Sequence, residues 1–394
     1  MKRVFVIVVL VSALFVSLFA AEMGKLTIWC SEAQVSILQK LGDEFESLYG
    51  IPVNVQQVTF GDIRSKFLTA APAGEGPDII VGAHDWVGEL AANGLLLPLD
   101  YFTGQKRANY LESALKGFEY GGKLYGLPYG SEAIALIYNK ELVPVPPSTM
   151  EELIAIAKEL TDGELRGFVF NAGDFYMAAP FLFTAGGYVF KETAQGLDPN
   201  DIGLANEGAV LGGNLIKRLY DEGIMMPGDN YQIMDSLFKD GLAGMIINGP
   251  WAILDIQSAG IDYGVAVIPS IAGKKAKPFI GVQGFMISSK SPNHIFALEF
   301  LANFIDQKEV MYKLYLADPR IPTRADVLAL VQDQPDVVAF AGSAANGTPM
   351  PNIPAMNSVW SAMAGALTQI INNLLTPEQA LQEAVDKIVL ALAQ

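Results

Sequence analysis

The strongest constraint on the fold is a change of hydrophobic period that repeats from Lys25 onward. Leu26, Ile28 and Cys30 alternate with Thr27 and Trp29, the period-2 pattern of a strand with one buried face. Val35, Leu38, Leu41, Phe45 and Leu48 then recur at helical spacing and form one apolar stripe. Gly50 and Pro52 end that helix, Val53 and Val55 begin a second strand, and Ile79-Ile80-Val81 after Pro77 reads as a third, buried on both faces. A β-α-β-α-β order predicts a parallel sheet with helices on both faces, joined by right-handed crossovers. Later helix starts are also legible. Ser148 and Thr149 stand three residues before Glu151 and Glu152, a capping box for the helix carrying Leu153, Ile156 and Leu160. Ser291-Pro292 opens another, and Thr376-Pro377 with Gln379 opens the last, whose stripe is Leu381, Val385, Ile388 and Leu392.

The N-terminus sets the compartment. Lys2 and Arg3 precede an apolar run from Val4 that ends in Phe19-Ala20-Ala21 before Glu22, so residues 1–21 read as a signal peptide and the mature chain as periplasmic. Leu18 or Phe19 stands where a small residue is preferred for cleavage, which keeps retention by an uncleaved N-terminal anchor open as an alternative. No later stretch approaches the roughly 20 apolar residues of a spanning helix. The compartment permits disulfides, but Cys30 is the sole cysteine, so the core has to hold without one. At 394 residues the chain is large enough to do so as two domains. A net charge of −16 argues against nucleic acid as a partner, because phosphate binding needs a basic footprint.

Catalytic and metal motifs fare poorly. Gly117, Gly122 and Lys123 match most of a phosphate loop, but Leu124 replaces the hydroxyl residue that would hold magnesium, and Tyr120-Gly121-Gly122-Lys123 reads better as a hairpin. His84 and His294 are the only histidines and neither sits in a metal spacing. His84 beside Asp85 has no nucleophile elbow to serve, and Cys30 alternates into the core. Carboxylates are harder to set aside, since a glycosidase needs only two of them; Glu132, Asp174 and Asp85 keep an exported glycoside hydrolase open as a rival. Three of the four tryptophans, Trp86, Trp251 and Trp360, lie at loop-like punctuation. An indole there presents an apolar face, which suits the C–H face of a pyranose whose hydroxyls ask for carboxylate and amide partners, although filling the core is the competing role for each.

Along most of the chain, from 25 to about 392, the sequence resembles the maltose/maltodextrin-binding proteins of bacterial ABC importers. The resemblance rests on Gly76-Pro77-Asp78-Ile79-Ile80, Ala83-His84-Asp85, Glu132-Ala133 with Leu136-Ile137-Tyr138-Asn139-Lys140, Gly186-Gly187-Tyr188, Ile247-Asn248-Gly249-Pro250-Trp251, Lys277-Pro278-Phe279 and Met350-Pro351-Asn352-Ile353-Pro354, in that order. It implies an α/β, two-lobed periplasmic-binding-protein fold of type II, each lobe a parallel-dominated sheet flanked by helices, with a multi-segment hinge. Chain crossings are expected near 130–135, 278–285 and 329–336. One lobe would hold 22–130 and 279–332, the other 131–278 and 333–394. The implied function is a monomeric receptor, not an enzyme, that captures an oligosaccharide and hands it to a membrane-embedded ABC permease, without cofactor or metal.

Carried onto this sequence, the family's sugar contacts fall on the carboxylates Asp85 and Glu132 and on the aromatic platforms Tyr176, Tyr231, Trp251 and Trp360. Asp174 replaces a glutamate beside Tyr176. Trp86, Phe175, Met350, Arg64 and Gln34 complete the candidate set. The departures bear on specificity: Ala33 and Gln34 stand for an aspartate and a lysine, Gly82 for a tryptophan, Trp86 for an arginine, Arg64 for a glutamate, and Ser361 and Ala364 for an aromatic and an arginine. They point to longer α-1,4-glucans, or another gluco-oligosaccharide, over maltose.

Overall fold

The computed structural model describes residues 24–393; the signal segment expected at 1–21 lies outside the described residues. Strands β1 (Leu26–Cys30), β2 (Val53–Gln57), β3 (Ile79–Ala83), β4 (Gly126–Glu132), β5 (Ala135–Asn139), β6 (Arg166–Val169), β7 (Ala243–Asn248), β8 (Tyr263–Ala266), β9 (Phe279–Ile287), β10 (Ile321–Pro322) and β11 (Thr348–Pro349) build two sheets. The larger, of seven strands, runs β10-β4-β9-β3-β1-β2 with β11 on β9; the smaller, of four, runs β8-β5-β7-β6.

The opening β-α-β-α-β unit forms as its periodicity predicts. Leu26, Ile28 and Cys30 are buried on β1, which pairs in parallel with β2 and with β3. Ser31 and Gln34 close a capping box on the helix Glu32–Tyr49, and Gly50, at φ 72°, ends it by donating its N–H to the carbonyl of Glu46 at 2.8 Å. Leu38, Leu41 and Phe45 are buried along its stripe, whereas Leu48 is 71% exposed. The capping boxes at Thr149 with Glu152 and at Thr376 with Gln379 are both made. The Gly121-Gly122 hairpin forms too, with both glycines at positive φ. Ser291 does not cap a helix: its hydroxyl donates to Asp78 at 2.5 Å and accepts the N–H of Asn293, and the helix starts at His294.

The sheets are mixed, not parallel-dominated. β9 returns antiparallel between β3 and β4, and β5 is antiparallel to both β7 and β8. The cause is connectivity. Parallel pairing follows from a local helical crossover, as in β1 to β3, but β9 re-enters the larger sheet only after β5 to β8 have formed the smaller one.

The passage between sheets is abrupt. β4 and β5 are separated only by Ala133 and Ile134, both fully buried, and the Ser343 hydroxyl ties the helix Pro335–Ala344 to this crossing through the carbonyl of Ile134 at 2.6 Å. Residues 267–278 lead back to β9. β11 still pairs with Phe279 and Ile280 of the larger sheet, although the 333–394 stretch was expected wholly in the other lobe. The helix Met356–Ile371 then packs on Pro377–Leu392, Glu207–Asp221 and Phe175–Thr184. Among the described residues no helix is long and apolar enough to cross a membrane.

Candidate functional site

The carboxyl ends of two strands, one in each sheet, are built alike. β3 runs into a 3₁₀ turn, His84–Trp86, and then the helix Val87–Ala92; β7 runs through Gly249 into the turn Pro250–Ala252 and the helix Ile253–Ser258. In each turn an indole folds back over a glycine. A Cβ on Gly82 would stand 1.9 Å from Cζ3 of Trp86, and one on Gly249 would stand 2.0 Å from Cζ3 of Trp251. The departures at 82 and 86 are therefore one steric unit, because the Trp86 ring fills the space that a side chain at 82 would need. Trp86 is buried, its ring tilted against Phe60 with centroids 5.2 Å apart.

Asp85, in the first of these turns, is buried and accepts the indole N–H of Trp360 at 3.1 Å, which links β3 to the helix Met356–Ile371. One turn earlier on that helix, Asn357 donates to Glu89 at 2.8 Å, and Arg64 lies 3.7 Å from the same carboxylate. Burial raises the Asp85 carboxyl to about 6, against the opposing pull of Arg64 and the Trp360 hydrogen bond and with help from the charge of Glu132. Because the folded state favours the protonated form, the ionisation of Asp85 works against folding: its effect is absent below pH 3.8, grows as pH rises, and is complete above 6. Asp85→Asn keeps an acceptor for Trp360 and is expected to be more stable than the parent at pH 7 by about 3 kcal/mol, with the difference vanishing below pH 4. Denaturant unfolding at the two pH values checks this; an equal difference at both would refute it.

Glu132, at the end of β4, is buried and its two oxygens have different partners. Oε1 accepts from Gln283 at 3.0 Å and Oε2 is ion-paired with Arg320. Arg320 also pairs with Asp318, whose Oδ2 accepts from the Tyr129 hydroxyl at 2.8 Å and from Gln34 at 3.1 Å. Gln34 is thereby committed to the protein: its amide donates to Tyr129 and Asp318, and its carbonyl accepts from Ser31 backbone and hydroxyl. All its capacity is used within the protein, so a sugar contact by Gln34 would have to replace one of these bonds.

The aromatic wall is centred on a residue that carried no expectation, Phe279. It is fully buried, and Tyr176 stacks on it at 6.0 Å and 18°, with Phe175 at 5.4 Å, Phe183 at 5.0 Å and Trp360 at 5.8 Å. Phe175, 1% exposed, packs edge-on against Trp360 at 5.7 Å as part of the core. Tyr176 keeps a buried hydroxyl with no hydrogen-bond partner, and its ring is 6.2 Å from Trp251. Trp251 donates to the Tyr231 hydroxyl at 3.1 Å. Asp174 caps the helix Phe175–Thr184 through the N–H of Tyr176 at 2.8 Å; burial raises its carboxyl, and the N–H groups of Tyr176 and Met177 oppose the rise. Met350 is buried, and its carbonyl accepts from His84 Nε2 at 3.1 Å.

His84 has no free nitrogen for acid–base work, since Nδ1 accepts the N–H of Val282 at 3.0 Å while Nε2 donates to Met350. Burial lowers its pKa to about 4, so it stands neutral and ties β3, β9 and the 350–354 segment together. Burial, helped by Glu32, pushes the Cys30 thiol up to about 12, leaving no thiolate for nucleophilic use. Among the described residues no cluster of three or more His, Cys, Asp or Glu is placed to hold a metal.

Trp360 joins Asp85 to Phe279, Phe279 joins Trp360 to Tyr176, and Tyr176 leads to Trp251 and Tyr231. Sequence reasoning missed Arg320, Asp318, Tyr129, Gln283 and Phe279. Asp318-Pro319-Arg320 offered a faint signal as a charged pair after an apolar helix, but Arg320 is 188 positions from Glu132.

Comparison with known proteins is consistent along the chain. The family model for bacterial extracellular solute-binding proteins matches residues 40–340. The galactooligosaccharide-binding protein of Bacillus subtilis is 31% identical over 378 residues, 93% of this chain and 89% of that protein. The maltotriose-binding protein of Pyrococcus abyssi is 31% identical over 382 residues, 92% and 80% respectively. A maltooligosaccharide ABC transporter solute-binding lipoprotein of Streptococcus pneumoniae is 27% identical over 381 residues, 94% and 89%.

Proposed function

This chain belongs to the bacterial extracellular solute-binding protein family, and we propose that it is the receptor that captures maltodextrins, maltotriose or longer, for an ABC importer. It is a binding protein and not an enzyme, as its relatives are. The observation that carries the oligosaccharide reading is the pairing of flat apolar faces with carboxylates, drawn from both sheets: Trp251, Tyr176 and Trp360 beside Glu132 and Asp85. A pyranose asks for that combination, its C–H face on an aromatic ring and its hydroxyls on carboxylates. Maltotriose and maltooligosaccharides are the ligands in the names of two relatives.

In this reading the working parts are two lobes and the crossings between them. Lobes of 22–130 with 279–332 and of 131–278 with 333–394 hinge about the short crossings, β11 staying on the first lobe's sheet. Closure is favoured when ligand touches both lobes at once, since only the closed form makes both sets of contacts. Asp85, Glu132, Tyr176, Tyr231, Trp251 and Trp360 supply these contacts; Arg64, Trp86, Asp174 and Met350 frame them. Affinity near micromolar, about 8 kcal/mol, holds a sugar firmly yet releases it to a permease. Export by the segment 1–21 brings the receptor to its ligand, and it acts as a monomer.

A second reading, a galactooligosaccharide receptor, is favoured by the 31% identity to a protein of that name. Titration calorimetry with maltose, maltotriose, maltotetraose and a β-1,4-galactooligosaccharide separates the two. Maltotriose and maltotetraose are expected to bind most tightly; heat from the galactooligosaccharide alone would replace the maltodextrin assignment.

A further inference from the structure

Two groups proposed above to take the ligand, the Glu132 carboxylate and the Trp251 ring, come from different sheets, and one side chain engages both. Arg320, in the loop before β10, is buried, ion-paired to Glu132 and Asp318, with its guanidinium carbon 5.7 Å from the centroid of the Trp251 ring. The six-membered ring of that indole comes close to Gly249, and the guanidinium stands over the ring. A guanidinium is planar, carries several N–H donors and stacks on aromatic faces, so it satisfies a carboxylate and a ring together. A pyranose makes the same two demands. Asp318 in turn is held by Tyr129 and Gln34, which keeps the arginine's anchor in the larger sheet while its far end reaches the smaller one.

We propose that Arg320 is an internal competitor of the ligand and a clamp between the two sheets: it covers the Trp251 ring, and an oligosaccharide stacking on that side has to displace it. The inference rests on the oligosaccharide reading for the competition and on geometry alone for the clamp. It makes Arg320 a specificity-determining residue, because only a sugar that regains on Trp251 and Glu132 what the guanidinium gives up binds well.

Arg320→Lys keeps a cation for Glu132 and Asp318 but loses the plane that covers the ring. Without added sugar, X-ray scattering of the full mature chain is expected to give a larger radius of gyration for the variant than for the parent, and calorimetry is expected to show maltotriose binding about tenfold tighter, the stacking contact no longer opposing it. Trp251→Leu removes the clamp from the other side with the ion cluster intact, and its radius is expected to rise likewise, which keeps the clamp testable where Arg320→Lys fails to fold. Unchanged radii in both variants overturn the clamp; unchanged or weaker maltotriose binding by a folded Arg320→Lys overturns the competition. A parent that binds no oligosaccharide defeats the ligand reading instead, and the scattering arm still decides the clamp.

Discussion

Replacing Phe279 by alanine is expected to lower the unfolding free energy by about 4 kcal/mol, among the larger costs that one truncation brings. The ring is fully buried at the start of β9, with four aromatic neighbours between 5.0 and 6.0 Å: Phe183, Phe175, Trp360 and Tyr176. Truncation removes its transfer free energy and leaves a cavity, and each lost aromatic pair adds about 0.5–1.5 kcal/mol. Phe279 sits at the chain's re-entry point and its neighbours on two helices, Phe175–Thr184 and Met356–Ile371, so local collapse would have to move Tyr176 and Trp360 as well. Binding should therefore weaken even where the variant is folded. Denaturant unfolding monitored by circular dichroism and by tryptophan fluorescence measures the first effect. A loss below about 1 kcal/mol would show that the wall does not depend on this ring.

Trp251→Ala is expected to cost about 2 kcal/mol of oligosaccharide affinity, roughly thirtyfold, with little change in unfolding midpoint. The indole is half-buried and its N–H is held by Tyr231, so it is a preorganised surface that loses little freedom on binding. Its removal also releases the Arg320 guanidinium from the ring, but the lost platform dominates because the ligand then has nothing to stack on. Gly249→Ala is the companion experiment. The backbone there, φ −108° and ψ 177°, accepts any residue, so the added methyl acts only by displacing the indole. Weaker binding in both variants ties affinity to where the ring stands. Full affinity in Trp251→Ala would return Trp251 to the core.

The first sheet's parallel portion, its helix and two of the three capped helix starts are legible in the sequence, because period and capping are local properties. β1 is buried at Leu26, Ile28 and Cys30, and Thr149 and Thr376 cap as their spacing predicts. Ser291 was misread since its hydroxyl had a stronger partner than a helix end, the carboxylate of Asp78 from 213 positions away. The partners of Gln34 were equally hidden: only folding brings Tyr129 and Asp318 to its amide while Ser31 meets its carbonyl.

By itself, the sequence determined the alternation of elements, the family, and the residue types proposed to meet a sugar, since each depends on neighbours within a few turns or on ordered strings of residues. Tertiary structure alone decided that β9 and β5 run antiparallel, that Phe279 backs the aromatic wall, and that Arg320 stands between Glu132 and Trp251. These facts join positions far apart along the chain. No local period records which strand returns to which sheet, and a charge or a ring shows its partner only once the core has brought the two together.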